Sequence, residues 1–148
     1  MSGSNPNEYL RTKVMTASPA ELRLMLLDGA IRALEQARIG ILEKDYEQSY
    51  LGSKQCRAIL TELISSVSPE VDPLLCERVC SVLTFIYNDF VTAMSERDAD
   101  KVAALIPLLE YERETWGMVI DQLAAERALP PPVVPVDATR GSRIHLAG

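Results

Sequence analysis

Histidine is all but missing from this chain, and that scarcity excludes more functions than any other feature. The one histidine, His145, falls in a C-terminal stretch with no helical period. The rest of the chain therefore offers no Ser-His or Cys-His pair for nucleophilic catalysis. It has no Glu-x-x-His for a di-iron bundle and no helical histidine to carry a phosphoryl group. No glycine-rich loop precedes a helix, so a phosphate cradle is missing as well. The carboxylates fall on polar helix faces or at caps. No enzymatic activity, metal or cofactor is expected.

Other shortages narrow the class further. Aromatics make up 5 % of the chain and there are only 7 glycines, while Leu, Ala, Glu, Arg and Ile dominate, a helix-forming mixture. The cysteines, Cys56, Cys76 and Cys80, are odd in number. Cys76 and Cys80 are four apart with no histidine near to complete a zinc site, so all three read as small apolar residues. No apolar run approaches the ~18–20 residues of a membrane span. The N-terminus lacks both the basic and the apolar parts of a signal peptide, which leaves a cytoplasmic protein. The net charge is −6 without a lysine or arginine cluster. Nucleic-acid binding needs such a cluster, and a membrane-surface helix needs a lysine-rich amphipathic face.

What is there is a series of amphipathic helices. Ser18-Pro19-Ala20-Glu21 opens the longest: Ser18 as N-cap, Pro19 at the first helical position, and Glu21 placed to complete a capping box. From Leu22 to Ala37 the apolar residues cover an arc of about 220° on a helical wheel, against the stripe of about 100° that a surface helix needs. Such an arc suits a central helix packed on both sides, or one that also meets another protein. Arg23 and Arg38 break into it, which predicts incomplete burial.

Ahead of this helix, residues 1–7 read as disordered. Tyr9–Thr16 reads as a short helix or extended arm lying on the body, anchored by Tyr9, Leu10, Val14 and Met15. Asp45, with Gln48 three residues later, opens a second helix to about Ser66, joined to the first by a tight antiparallel turn. Its face collects Tyr46, Ser49, Tyr50, Ser53, Cys56, Leu60, Leu63, Ile64 and Val67. A turn-rich segment follows, and Asp72-Pro73 starts a third helix whose apolar face includes Leu75, Val79, Leu83, Ile86, Tyr87, Phe90 and Val91. Phe85 falls on its polar side. Glu96-Arg97-Asp98 resembles Glu43-Lys44-Asp45, so the chain looks like two helical hairpins. The fourth helix carries Val102, Leu105, Ile106, Leu109, Trp116, Val119 and Ile120, and Pro107 should kink it or split off its first turns. Arg113 lies within that stripe and needs a carboxylate or helix-end carbonyl. Beyond Ala128, Leu129-Pro130-Pro131-Pro132-Val133-Val134-Pro135 is polyproline-like. The expected fold is an all-α, antiparallel up-down-up-down four-helix bundle over residues 18–128. A short N-terminal helix or arm (1–17) precedes it and a disordered Pro-rich tail (129–148) follows.

At Thr16-Ala17-Ser18-Pro19-Ala20-Glu21-Leu22, continued by Leu24-Met25-Leu26-Leu27-Asp28-Gly29-Ala30-Ile31, the chain resembles the flagellin-specific export chaperone family (FliS). Tyr9 and Thr12-Lys13-Val14 resemble that family's N-terminal arm, Glu43-Lys44-Asp45 its first hairpin turn, and Tyr87 and Ala93 its third helix. Arg113-Glu114-Thr115-Trp116 matches a sequence typical of its last helix. The likeness covers about residues 5–125. Leu27 and Phe85 stand where the family usually has tyrosine, and Pro107 and the proline-rich tail are additions.

The resemblance implies a cytoplasmic bundle that binds the disordered C-terminal segment of flagellin, keeps it from polymerising and delivers it to the flagellar export gate. On this reading Tyr9, Val14, Met15, Leu24, Leu27, Ile31, Phe85 and Tyr87 contact the cargo. Ser18, Glu21, Arg113 and Trp116 hold the fold. The arm is expected to lie over part of the groove when cargo is absent, and a monomer to become a one-to-one complex. The competing expectation is a regulatory or structural bundle that self-associates through the same arc.

Overall fold

Short polar side chains set where the helices begin. The computed structural model describes residues 5–67 and 73–128, which form α1 (Pro6–Thr16), α2 (Pro19–Leu42), α3 (Tyr46–Ser65), α4 (Pro73–Glu96), α5 (Ala99–Ala103) and α6 (Ile106–Ala128). Among the described residues there is no strand. At α2 the capping box is complete: Glu21 N–H donates to Ser18 Oγ at 3.2 Å, and Ser18 N–H donates to the Glu21 carboxylate at 3.2 Å. The Ser18 hydrogen bonds hold Glu21 below the usual carboxylate pKa. Asp45 accepts from Gln48 N–H at 3.0 Å, and Asp98 from the N–H groups of Asp100 and Lys101 at 3.1 Å. Asp72, residues 68–71 and the tail from 129 lie outside the described residues.

Two expectations change here. Residues 5–7 are not disordered: Asn5 caps α1, its side chain accepting from Asn7 N–H at 3.0 Å, and Pro6 takes the first helical position. This is the same cap-then-proline device as Ser18-Pro19. Nor is the arm anchored by Tyr9, Leu10, Val14 and Met15. All four are exposed, and α1 has no buried residue.

The two tight turns are built alike. After α2, Asp45 N–H bonds to Gly40 O at 2.9 Å and Lys44 N–H to Ile41 O at 3.2 Å. After α4, Asp98 N–H bonds to Ala93 O at 3.0 Å and Arg97 N–H to Met94 O at 3.1 Å. Each is a Schellman closure, with Lys44 (φ 55°) and Arg97 (φ 52°) in the left-handed position. The next residue, an aspartate, caps the following helix, so each chain reversal is short. Arg97 lies over the Tyr46 ring at 4.6 Å, which puts both turns at the same end of the bundle.

The closest packing is between α2 and α3. Ala30, Ala33, Ala37 and Gly40 recur along one side of α2 and are buried. Opposite them come Ser49 and the buried Gly52. A Cβ added at Gly40 would sit 2.4 Å from Ser49 N, and one at Gly52 would sit 2.6 Å from Ala37 N, so the two backbones nearly touch. No aromatic ring fits such a seam. That is why Tyr46 and Tyr50, expected on the inner face of α3, are exposed instead. α5 and α6 cover the other side of α2, and α4 lies against α3 and α5. Leu27, Leu34, Leu60, Leu63, Leu83, Ile86, Phe90, Val102 and Leu109 are fully buried in one core, each contributing roughly 1.5–3 kcal/mol. Leu75 and Val91, expected on the core face of α4, lie at its exposed margin.

The fourth rod is divided as Pro107 demands. Ala104 and Leu105 separate α5 from α6, and the proline sits in the first turn of α6, where a missing N–H costs little. α1 apart, the described chain is thus an antiparallel bundle of four rods, the last one broken.

The seam makes a clean test. Gly52→Ala should lower stability by about 1–3 kcal/mol through overpacking. Gly117→Ala, where an added Cβ meets nothing within 4 Å, should raise it by up to about 1 kcal/mol on helix propensity alone. Urea unfolding of the two variants beside the parent measures both.

Candidate functional site

Two contacts lock α6 onto α2. Arg113 makes a charge-assisted hydrogen bond and ion pair with Asp28 of α2. The expectation of a carboxylate partner holds, but the position does not: Arg113 is half-exposed at the edge of α6 rather than inside its buried stripe. The buried stripe of the fourth rod keeps one spacing across the break, Val102, Leu105, Leu109, Glu112 and then Trp116, and Arg113 lies on its flank.

The buried arginine is Arg23, only 7 % exposed, where the wheel predicted a charge keeping α2 partly in water. Its Nη1 donates to Leu63 O at 3.0 Å and to Ser66 Oγ at 3.4 Å, satisfying the carbonyl end of α3. The guanidinium lies over the Trp116 ring at 4.8 Å, while Nε and Nη2 have no hydrogen-bond partner among the described residues. Burial pulls the Arg23 pKa down, partly offset by the Glu112 charge. Glu112 is itself buried, and desolvation raises its pKa more than Arg23 lowers it. Cys76 and Cys80 lie near the same guanidinium with their Sγ atoms 4.0 Å apart. Desolvation raises the Cys76 thiol pKa and drives that of Cys56, sealed in the core, up to about 12. Burial thus favours the protonated thiol at Cys56 and Cys76, as at structural cysteines.

With α6 held on α2, and α4 held on α3 and α5, α4 and α6 make no extensive contact with each other among the described residues. An open furrow of about 390 Å³ lies there, lined by Phe85, Asp89, Thr92 and Ala93 of α4, Lys101 of α5, Ala104 and Leu105 of the break, and Leu108 of α6. A shallower depression continues along α4 past Ser81 and Thr84 to Glu77, and Phe85 lines both. Apolar walls with one acidic and one basic residue at the rim suit a chain segment that presents apolar side chains on a polar backbone.

The residues expected to meet a partner are not gathered in one place. Of them, Phe85 alone lines the furrow, and it is 54 % exposed. Tyr9, Val14 and Met15 are exposed on α1. Leu24, Ile31 and Tyr87 are half-buried, and the last two pack against the core. Leu27 has no exposed surface and belongs to the core, so its assignment as a contact residue is corrected. The over-wide arc of α2 is occupied by α3 on one flank and by α5 and α6 on the other, as expected of a helix packed on both sides. Leu108 was missed because it falls outside the core stripe of the fourth helix, yet it belongs to an outward series, Leu108, Tyr111 and Met118, at helical spacing.

The pattern of the family described as Flagellar protein FliS matches residues 2–123. The chain belongs to the FliS family. A Campylobacter jejuni protein named flagellar secretion chaperone FliS is 26 % identical over 113 residues, spanning 76 % of this chain and 88 % of its own. A Bacillus subtilis protein of the same name is 24 % identical over 128 residues, spanning 86 % and 95 %. The FliS match includes the Ser18 capping box, the Asp45 turn and the Arg113–Trp116 segment, whose work here is structural. It ends before the proline-rich stretch, which leaves that stretch without a counterpart in the matched pattern. No helix among the described residues is long and apolar enough to cross a membrane.

Glu112 gives a pH test of the α2–α6 lock. Its raised pKa means that the fold favours the protonated acid. Its contribution is therefore fully present below the ordinary carboxyl range and lost as pH rises through the raised value. Glu112→Gln should melt at a higher temperature than the parent at pH 7, and this advantage should shrink as pH falls through that window. Thermal unfolding at several pH values follows it.

Proposed function

We propose that this chain is a cytoplasmic flagellar export chaperone. It binds the disordered C-terminal segment of flagellin one-to-one, prevents premature polymerisation and delivers the segment to the flagellar export gate. The single observation that supports this most is the apolar furrow along the α4–α6 side of a fully packed bundle. An unfolded client loses about 1–2 kcal/mol per residue of ordered backbone, so it needs several apolar anchors, each contributing roughly 1.5–3 kcal/mol when buried. Phe85 and Leu108 offer the walls for such anchors. Tyr9, Val14 and Met15 of α1 add an exposed apolar face, and the half-buried Leu24, Ile31 and Tyr87 give less surface. The role needs neither catalysis nor a cofactor. Membership of FliS and the names of both relatives support the flagellar setting.

Calorimetry and sedimentation with a synthetic flagellin C-terminal peptide test the proposal. The expected outcome is a monomer that forms a one-to-one complex. Phe85→Glu, at an exposed position, should weaken the complex at least about tenfold, in line with loss of a central anchor, with no change in melting temperature. A chain that self-associates with rising concentration and ignores the peptide would overturn it in favour of a self-assembling bundle.

A further inference from the structure

Cys56 is sealed in the core, but Cys76 and Cys80 are only half-buried. They stand one turn apart on α4 with their Sγ atoms 4.0 Å from each other. Both turn toward the C-terminal end of α3: the Cys80 thiol donates to Ile64 O at 3.6 Å and the Cys76 thiol to Val67 O at 3.8 Å. Arg23 reaches the same end through Leu63 O and Ser66 Oγ, so a buried cation and two thiols converge there. On the outer side, the depression along α4 that runs past Thr84 to Glu77 is lined by Cys80 and gives access from solvent.

We propose that Cys76 and Cys80 bind one Cu(I) ion as a pair of thiolates, with the Arg23 guanidinium balancing the charge of the complex. The spacing decides between an ion and a disulfide. Side chains four apart on a helix keep their Cβ atoms about 5–6 Å apart, whereas a disulfide needs about 3.5–4.5 Å. Closing that bond means distorting α4, and bridging the gap with an ion does not. At thiolate–metal bonds of about 2.3 Å, two sulfurs on one ion lie about 3.8 Å apart at a tetrahedral angle and ~4.6 Å apart in a line. The observed 4.0 Å falls inside that range. It is also the i, i+4 spacing at which a helix presents two ligands to one metal.

The number of ligands then selects the metal. Zinc takes four, and the described residues hold no group of three or more His, Cys, Asp or Glu that could bind an ion. Cu(I) is soft, prefers thiolate sulfur and is stable with two ligands. Loading exchanges protons for the ion: both S–H bonds break, two S–Cu bonds form, and two protons leave to solvent with no change of oxidation state. A coordinating thiol is deprotonated outright, so the burial that favours the free thiol does not forbid the site. The product carries one negative charge. Arg23, 7 % exposed and with Nε and Nη2 unpaired among the described residues, is the cation beside it. Only two weak S–H···O contacts are given up.

The test titrates the full-length chain, reduced and free of oxygen, with Cu(I) against the coloured chelator bicinchoninate. The parent should withdraw one ion per chain at any protein concentration, and Cys56→Ala should do the same. Cys76→Ser and Cys80→Ser should each withdraw none. Arg23→Gln, which removes the charge, should weaken binding about 10- to 100-fold, and unaltered affinity there overturns the role given to Arg23. X-ray absorption at the copper edge of the loaded parent decides without any variant, should the serine variants fold poorly. A shell of two sulfurs supports the site, and nitrogen or oxygen neighbours alone overturn it. So do uptake retained in both serine variants, uptake that rises with protein concentration, and no uptake by the parent.

Discussion

Backbone contact between α2 and α3 is the constraint on which the other placements depend. Where a Cβ at Gly40 or Gly52 would strike Ser49 or Ala37 at well under 3 Å, the helices are as close as helices come. Such a seam needs only small residues on α2, and Ala30, Ala33, Ala37 and Gly40 supply them. The large residues, Leu27 and Leu34, are then free to build the shared core with α4, α5 and α6. One flank of α2 is narrow and flat, the other broad and leucine-rich. The over-wide apolar arc is therefore mostly used within the molecule, Leu24 and Ile31 staying half-buried, and the larger client surface has to come from elsewhere.

It comes from what the seam leaves unpaired. α6 is drawn to α2 by the Arg23–Trp116 stack and the Asp28–Arg113 pair. α4 is held by α3 and by the short α5, reached through a turn of the same build as the one joining α2 to α3. With both outer rods committed inward, the gap between them has no side chain left to close it. Val102 and Leu105 before the break at Pro107 and Leu109 after it are buried along one stripe, while Leu108 lies off that stripe and faces the gap.

Much of this architecture is legible in the chain because it is written in local chemistry. Ser18, Asp45 and Asp98 mark helix starts, since a cap acts within three residues, and Pro107 marks a break, since its missing N–H acts on one hydrogen bond. Phe85 reads as exposed because a wheel needs only its own helix. What was not legible depends on neighbours. Arg23 looks like a surface charge until the end of α3 offers it a carbonyl and α6 an indole. Arg113 looks buried only if the apolar stripe is drawn wide enough to include it, whereas burial follows Val102, Leu105, Leu109, Glu112 and Trp116. Tyr46 and Tyr50 look like core residues until the width of the seam is known. Leu27 carries no sign of which side of a wide arc is used inside. The furrow belongs to no single helix, so no periodicity could reveal it.

The distribution of packing also separates stability from binding. The α2–α3 seam and the core below it hold the described bundle together, whereas from Arg113 onward no described side chain of α6 is fully buried. Local openings are cheapest where few apolar contacts are lost, so the outer half of α6 can adjust to a chain lying beside it without loosening the leucine core. The Arg23 fork sets how far that adjustment goes. Its unpaired Nε and Nη2 carry a standing desolvation cost, yet the same guanidinium ties the end of α3 to Trp116 on α6. Movement of α6 beyond Trp116 costs little, while movement before it would strip a buried charge of its ring and its carboxylate neighbour. Trp116 is thus where α6, among its described side chains, makes its last packing contact with the core.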